Sequence, residues 1–167
     1  QAAAAGMIWP HNLYDGATNC MTCHGLAHPG VDGGILSAML GAEHPLNPAF
    51  ELVLYSQGSV RHRFYPPDVN TNQEMDAAQL SRLFIAGQAA KLVSAANARD
   101  NSDDAGYQAA QQKRFDDASS ALSVVPEAAA LLADPTDANG RALFDAIRDK
   151  DLSGLVGGLL PGPGSYK

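Results

Sequence analysis

Two cysteines and a histidine lie together near the start of this sequence, in the stretch Asn19-Cys20-Met21-Thr22-Cys23-His24-Gly25. The chain has 167 residues and contains no other cysteine. Random placement of its cysteines and histidines would give the C-x-x-C-H spacing in roughly 1 of 2,500 such chains, so we treat the spacing as meaningful. The fold must therefore hold two thiols and an imidazole at one place.

C-x-x-C-H is the signature of covalent haem attachment. Each thiol adds to one vinyl group of the haem and becomes a thioether. Two intervening residues let a single helical turn bring both sulfur atoms to the edge of the macrocycle. The adjacent histidine then faces the iron. The motif thus predicts one haem c, bound through Cys20 and Cys23, with His24 as an axial ligand of the iron.

Three other interpretations of the two cysteines carry less weight. A structural disulfide would leave the adjacent His24 unexplained. A thioredoxin-like redox pair requires a βαβ context, and the sequence does not show one. A zinc site requires two further ligands, but a second C-x-x-C or an H-x-x-x-H is missing from the sequence.

The segment from Leu13 to Gly25 resembles the opening helix of the class I cytochrome c family, and the resemblance is good over about residues 6–30. It implies an all-α fold around one haem, with the first and last helices of the haem domain crossing. It also implies one-electron transfer at a partly exposed haem edge. Two axial ligands would suppress substrate binding, so electron transfer is favoured over an enzyme. A haem-based gas sensor or a haem enzyme with an open distal site is the alternative.

The second axial ligand is the point at which the sequence departs from the family. The family usually supplies a methionine in an M-P-x-F segment, whereas Asn47-Pro48-Ala49-Phe50 has asparagine in that place. His62 is the preferred candidate, because it precedes the last helix of the haem unit by about ten residues, where the family's ligand loop lies. Met75 is second, since methionine is the usual ligand of the family. The weaker alternatives are an open sixth position, His44, Met39 and His28.

Other residues near His62 are candidates for contact with the haem. Arg61 and Arg63 are expected to pair with the haem propionates, because a guanidinium matches the geometry of a carboxylate. Tyr65 is expected to line the haem. A solvated basic pair and packing elsewhere in the core are the alternatives for these three side chains.

The hydrophobic pattern predicts a helical haem domain over residues 1–99 and a helical C-terminal extension over residues 100–167, packed on the haem domain or on a partner. Thr71 and Glu74 form an expected capping box for a long helix. Thr136 or Asp137 is expected to cap a later one. The predicted helices cover residues 35–40, 46–55, 74–98, 107–125, 126–132 and 138–149.

Charge and hydropathy restrict the partners. The formal net charge is -7, and the few basic residues are thinly spread, so nucleic acid is a poor partner. An acidic carrier could instead dock on a basic surface of a redox-partner protein, alone or as a subunit of a larger redox complex. No apolar stretch reaches the roughly 20 residues of a membrane-spanning helix. The small, alanine-rich start (residues 1–6) is expected to follow a removed signal peptide, which with haem attachment favours a periplasmic or extracellular location.

Overall fold

The computed structural model describes residue 8 and residues 11–58 and 74–167. Every regular element in these ranges is a helix, and none of these residues forms a β-strand. The all-α fold class is therefore confirmed for the described part of the chain. None of the helices there combines the length and hydrophobicity that a membrane-spanning segment needs.

The helices follow the chain from the motif to the C-terminal tail. In chain order they are α1 (Leu13–His24), α2 (Gly33–Gly41), α3 (Leu52–Ser56), α4 (Ala77–Asp100), α5 (Ala105–Leu122), α6 (Ala129–Ala133), α7 (Asp137–Ile147) and α8 (Ser153–Val156). Short 3-10 turns occur at Pro126–Ala128, Gly157–Leu159 and Pro163–Ser165.

Helix α4 lies at the centre of the molecule. From Leu83 to Ala96, every residue except Ser94 is buried. A helix with small and apolar residues on nearly all its sides is expected to be enclosed by other elements. Helices α1, α3, α5, α7 and α8 all pack against it. The position of α1 is thus set by its crossing with α4.

One hydrophobic core joins the motif helix to the C-terminal helices. Tyr14 and Met21 of α1 belong to the same buried cluster as Leu122 of α5 and Ile147 of α7. Since burial of apolar surface is the main favourable contribution to folding, these helices stabilise one another. Residues beyond position 100 thus pack directly on the helix that carries the cysteines. The division into a haem domain (residues 1–99) and an extension (residues 100–167) stays a prediction.

The helix predicted over residues 46–55 is wrong in its first half. The structure has a helix only at Leu52–Ser56. The side chain of Asn47 instead accepts a hydrogen bond from the Ala49 N–H at 3.1 Å, which forms a local turn that competes with a helix. The Glu51 carboxylate then accepts from the N–H groups of Val53 and Leu54, and caps α3.

The predicted start of the long helix is wrong by three residues. Glu74 precedes the helix, and α4 begins at Ala77. Its capping box is formed by Asp76 and Gln79, each side chain accepting from the other residue's backbone N–H. The expected cap at Thr136 is confirmed, since its hydroxyl accepts from the Asn139 N–H at the start of α7.

Candidate functional site

The last turn of α1 carries the two cysteines and the histidine on one side of the helix. Cys20 and His24 are four residues apart, so they lie one above the other, and Cys23 is the neighbouring position one turn from Cys20. The buried face of the helix is a different one, formed by Tyr14, Ala17 and Met21. The packing against α4 therefore leaves the three candidate ligand atoms on an accessible flank.

Both cysteines are free thiols, and they differ in exposure. Cys20 is half-buried and packs against the core, whereas Cys23 is exposed. Burial raises the pKa of the Cys20 thiol, and the neighbouring Cys23 raises it further. Cys20 therefore stays protonated at neutral pH, in the form that reacts slowly in thiol–disulfide exchange.

An aromatic cluster fixes the plane of the His24 imidazole. The Phe50 ring is stacked on it, with the ring centroids 3.9 Å apart and the planes 2° from parallel. Tyr55 packs on Phe50 from the side, at 5.0 Å between centroids. Among the described residues, no hydrogen bond to a ring nitrogen of His24 is found. The imidazole is thus oriented by stacking, while its nitrogen atoms remain available to a ligand.

Phe50 is itself held in place by the segment that precedes α3. The Nζ of Lys91 donates a hydrogen bond to the Pro48 carbonyl at 2.8 Å. The Asn47 amide donates to the Tyr55 hydroxyl at 2.8 Å. These contacts fasten the Asn47–Phe50 segment to α4 and α3, so the ring that stacks on His24 has little freedom to move.

Helix α5 holds the end of α1 immediately after His24. The side chains of Gln111 and Arg114 donate to the Gly25 carbonyl at 3.1 and 3.2 Å. The Tyr107 hydroxyl donates to the Leu26 carbonyl at 2.6 Å, where Leu26 has a φ of 46°. Donors aimed at the last carbonyls of a helix satisfy acceptors that the helix itself leaves unpaired. The end of the motif helix is thus fixed by residues more than 80 positions away.

Gly25 leaves the space that Arg114 occupies. A Cβ at position 25 would overlap the Arg114 guanidinium and lie 2.5 Å from the Met21 carbonyl oxygen. We therefore expect Gly25→Ala to destabilise the protein by about 1–3 kcal/mol, the usual cost of overpacking. Urea unfolding followed by circular dichroism measures the change.

Gly16 provides the matched control, because a Cβ there would meet nothing within 4 Å. Gly16 is inside α1, so Gly16→Ala should stabilise the protein by up to about 1 kcal/mol through its better helix propensity. Equal effects of the two substitutions would contradict the close approach at Gly25.

The structure describes only some of the predicted iron ligands and haem contacts. Arg61, His62, Arg63 and Tyr65 lie outside the described residues. Met75 precedes α4 instead of lying in its first turn as expected, and its Sδ accepts from the Gln57 Nε2 at 3.7 Å. Met75 thus contacts the residue that ends α3, the helix that carries Tyr55.

The weaker candidates for the second ligand are not brought to His24 by any contact in the described part of the chain. His28 accepts a hydrogen bond from the Gly30 N–H at 3.0 Å. It lines an open cavity of about 440 Å³ that also contains Thr18 and Thr22. These threonines lie on the other flank of α1, so the cavity belongs to a different side of the helix from the cysteines. His44 is exposed, and Met39 packs in a small core beside α2.

Cys20, Cys23 and His24 are the described residues that could hold a covalently attached haem. In the described ranges, no group of three or more His, Cys, Asp or Glu side chains could hold a metal. A half-buried thiol, an exposed thiol one turn away and an adjacent imidazole are the groups that could react with two vinyl groups and bind an iron. The stacked Phe50 adds an apolar surface beside the imidazole.

Sequence reasoning missed Phe50, Gln111 and Arg114 as neighbours of the site. The Tyr107–Gln111–Arg114–Ala118 spacing is a helical stripe, but its polar side chains are typical of a solvent-exposed helix face.

No family model matches the sequence, and neither a curated protein nor a solved structure shows significant similarity to it.

Proposed function

We propose that this chain is a class I-like monohaem c-type cytochrome that transfers single electrons, as a carrier or as a subunit of a redox complex. The observation that carries the proposal is the placement of Cys20, Cys23 and His24 on one accessible flank of α1, with the imidazole stacked on Phe50. When bound, the haem would accept one electron from a donor protein as Fe(III) becomes Fe(II), and would pass it to an acceptor protein.

The chain's own residues would attach, orient and partly enclose the haem. Cys20 and Cys23 would form the two thioethers, and His24 would be the axial ligand on one side. Phe50 keeps the imidazole plane fixed, and a fixed ligand requires little rearrangement when the charge of the iron changes. An electron carrier of this kind is not an enzyme, and covalent attachment favours a periplasmic or extracellular location.

The surface charge supports a protein partner over nucleic acid. The net charge of -7 favours encounter with a basic docking surface, and it disfavours phosphate backbones. His62 remains our preferred second axial ligand, with Met75 as the runner-up. Arg61, Arg63 and Tyr65 remain the proposed haem contacts in the same segment.

Optical spectra of the purified protein test the proposal. The protein would be produced with a haem-attachment system, and spectra recorded in the oxidised and reduced states, with and without carbon monoxide. We expect a reduced α-band that stays with the polypeptide after acid–acetone extraction and does not respond to carbon monoxide. Complete extraction of the haem would overturn the proposal.

The same spectra separate the two ligand candidates and the alternative function. The charge-transfer band of methionine ligation in the oxidised spectrum would favour Met75 and contradict His62. A prompt response to carbon monoxide would show an open sixth position, and would replace electron transfer with the gas-sensor or haem-enzyme alternative.

A further inference from the structure

The core beside the candidate site contains a cation that contacts no carboxylate in the described part of the chain. Arg114 is 1% exposed. Its guanidinium donates to the Gly25 carbonyl at 3.2 Å, to the Gln111 Oε1 at 2.5 Å and to the Ser94 Oγ at 2.9 Å. These groups are all neutral, and none of the described acidic residues contacts the guanidinium. Buried charges are normally paired, so this arrangement is unusual.

Arg114 keeps its charge in spite of this burial. Desolvation lowers the pKa of Arg114 to about 10, which is still well above neutral pH. The side chain is therefore a fixed positive charge under physiological conditions. These three hydrogen bonds and a fourth to the Met21 Sδ at 3.6 Å set the position of the guanidinium, so the charge cannot move out into solvent.

A second buried cation lies on the facing helix. Lys91 is 6% exposed, and its Nζ donates to the Pro48 carbonyl at 2.8 Å. Burial lowers the pKa of Lys91, and the charge of Arg114 lowers it further. Glu51 and Asp117 act in the opposite direction, so the charge of Lys91 is partly compensated.

Each of the two cations forms a hydrogen bond with a segment next to His24: one with the end of α1, the other with the segment that precedes α3. Arg114 is bonded to Gly25, the residue directly after His24. Lys91 is bonded to Pro48, two residues before the Phe50 ring that stacks on His24. Both charges are thus buried next to segments that adjoin or contact His24, where the effective dielectric constant is lower than in water.

We propose that Arg114, assisted by Lys91, raises the reduction potential of the haem bound at Cys20, Cys23 and His24. The proposal rests on the proposed function. Fe(III) carries one more positive charge than Fe(II), so a nearby fixed cation disfavours the oxidised state. Burial of the cation limits its screening by solvent and salt. Charge and burial around a haem are established determinants of its potential.

Potentiometric titration of the haem-loaded protein with Arg114→Gln tests this inference. Glutamine removes the charge but can still donate a hydrogen bond to the Gly25 carbonyl. We expect the equilibrium ratio of reduced to oxidised haem, at a fixed ambient potential, to fall about tenfold. An effect of this order is expected for a fixed unit charge near a redox centre in a medium with an effective dielectric constant of about 20. A tenfold change corresponds to about 59 mV for a one-electron couple.

Two controls separate charge from structure. Arg114→Lys keeps the charge but loses the planar hydrogen-bonding group. Its ratio of reduced to oxidised haem, at the same ambient potential, should stay within threefold of that of the original protein. Lys113→Gln removes a charge one residue away on α5, where the side chain is 64% exposed, so its effect should be less than twofold. Equal shifts in the lysine and glutamine variants at position 114 would overturn the proposal.

Lys91→Gln keeps the test decisive if Arg114→Gln does not fold. We expect a fall of two- to fivefold in the same ratio, smaller than for Arg114 because Glu51 and Asp117 partly compensate Lys91. No shift in either variant, with covalent haem present, would overturn this inference and leave the proposed function standing. Absence of covalent haem from the unmodified protein would overturn both.

Discussion

Replacing Cys20 and Cys23 together by alanine should abolish retention of haem after acid–acetone extraction. Both side chains that can form thioethers are then missing, and the chain has no other cysteine. His24 alone could still bind the iron, but such a haem is extracted by acid because the imidazole becomes protonated. A haem stain on a denaturing gel measures the loss, which should be complete.

Thr22→Ala is the matched control, because Thr22 lies between the two cysteines in the same turn of α1. Its hydroxyl donates to the Asn19 carbonyl at 2.7 Å and makes a weak 3.7 Å contact with the Cys23 Sγ, both on an exposed surface, so its loss should cost at most a few tenths of a kcal/mol. Haem retention should be unchanged in this variant. Covalent haem in the double cysteine variant would contradict the attachment chemistry.

Gly140→Ala should destabilise the protein, although Gly140 lies inside helix α7. A Cβ at position 140 would overlap the ring of Tyr14, which is buried between α1 and α7. Either the helices separate or the tyrosine moves and loses its 2.9 Å hydrogen bond to Asp137. We expect a net loss of about 1–3 kcal/mol in the free energy of unfolding, even though alanine favours a helix more than glycine.

A double-mutant cycle with Tyr14→Leu tests whether the tyrosine ring causes this loss. Leucine is smaller than tyrosine, so the second substitution should recover part of the cost of Gly140→Ala. The pair should deviate from additivity by at least about 0.5 kcal/mol in urea unfolding. Strict additivity would show that α7 does not contact α1 at this point.

The sequence predicted those elements whose determinants are local. The motif helix, the long central helix and the cap at Thr136 each depend on residues within a few positions of one another. The predicted start of α4 is wrong because the sequence contains two capping patterns five residues apart, at Thr71 and at Asp76. Local patterns do not decide between two such neighbours.

The surroundings of the site could not be predicted, because they come from distant parts of the chain. An arginine beside a lysine on a polar helix is usually solvated, and the burial of Arg114 is fixed only by the packing of α5 on α4. The stacking of Phe50 on His24 depends on the turn at Asn47, which replaced an expected helix.

The hydrogen bonds from α5 to the end of α1 bear on the order in which the protein folds. The contacts from Tyr107, Gln111 and Arg114 to the end of α1 span 81, 86 and 89 residues of chain. Contacts that close such long loops are expected to form late, because loop-closure entropy opposes them until other contacts are in place. We therefore expect the end of the motif helix to become fixed only when α5 packs against it. If haem is attached as proposed, this delay would leave both thiols accessible to an attachment system before the core closes around Cys20.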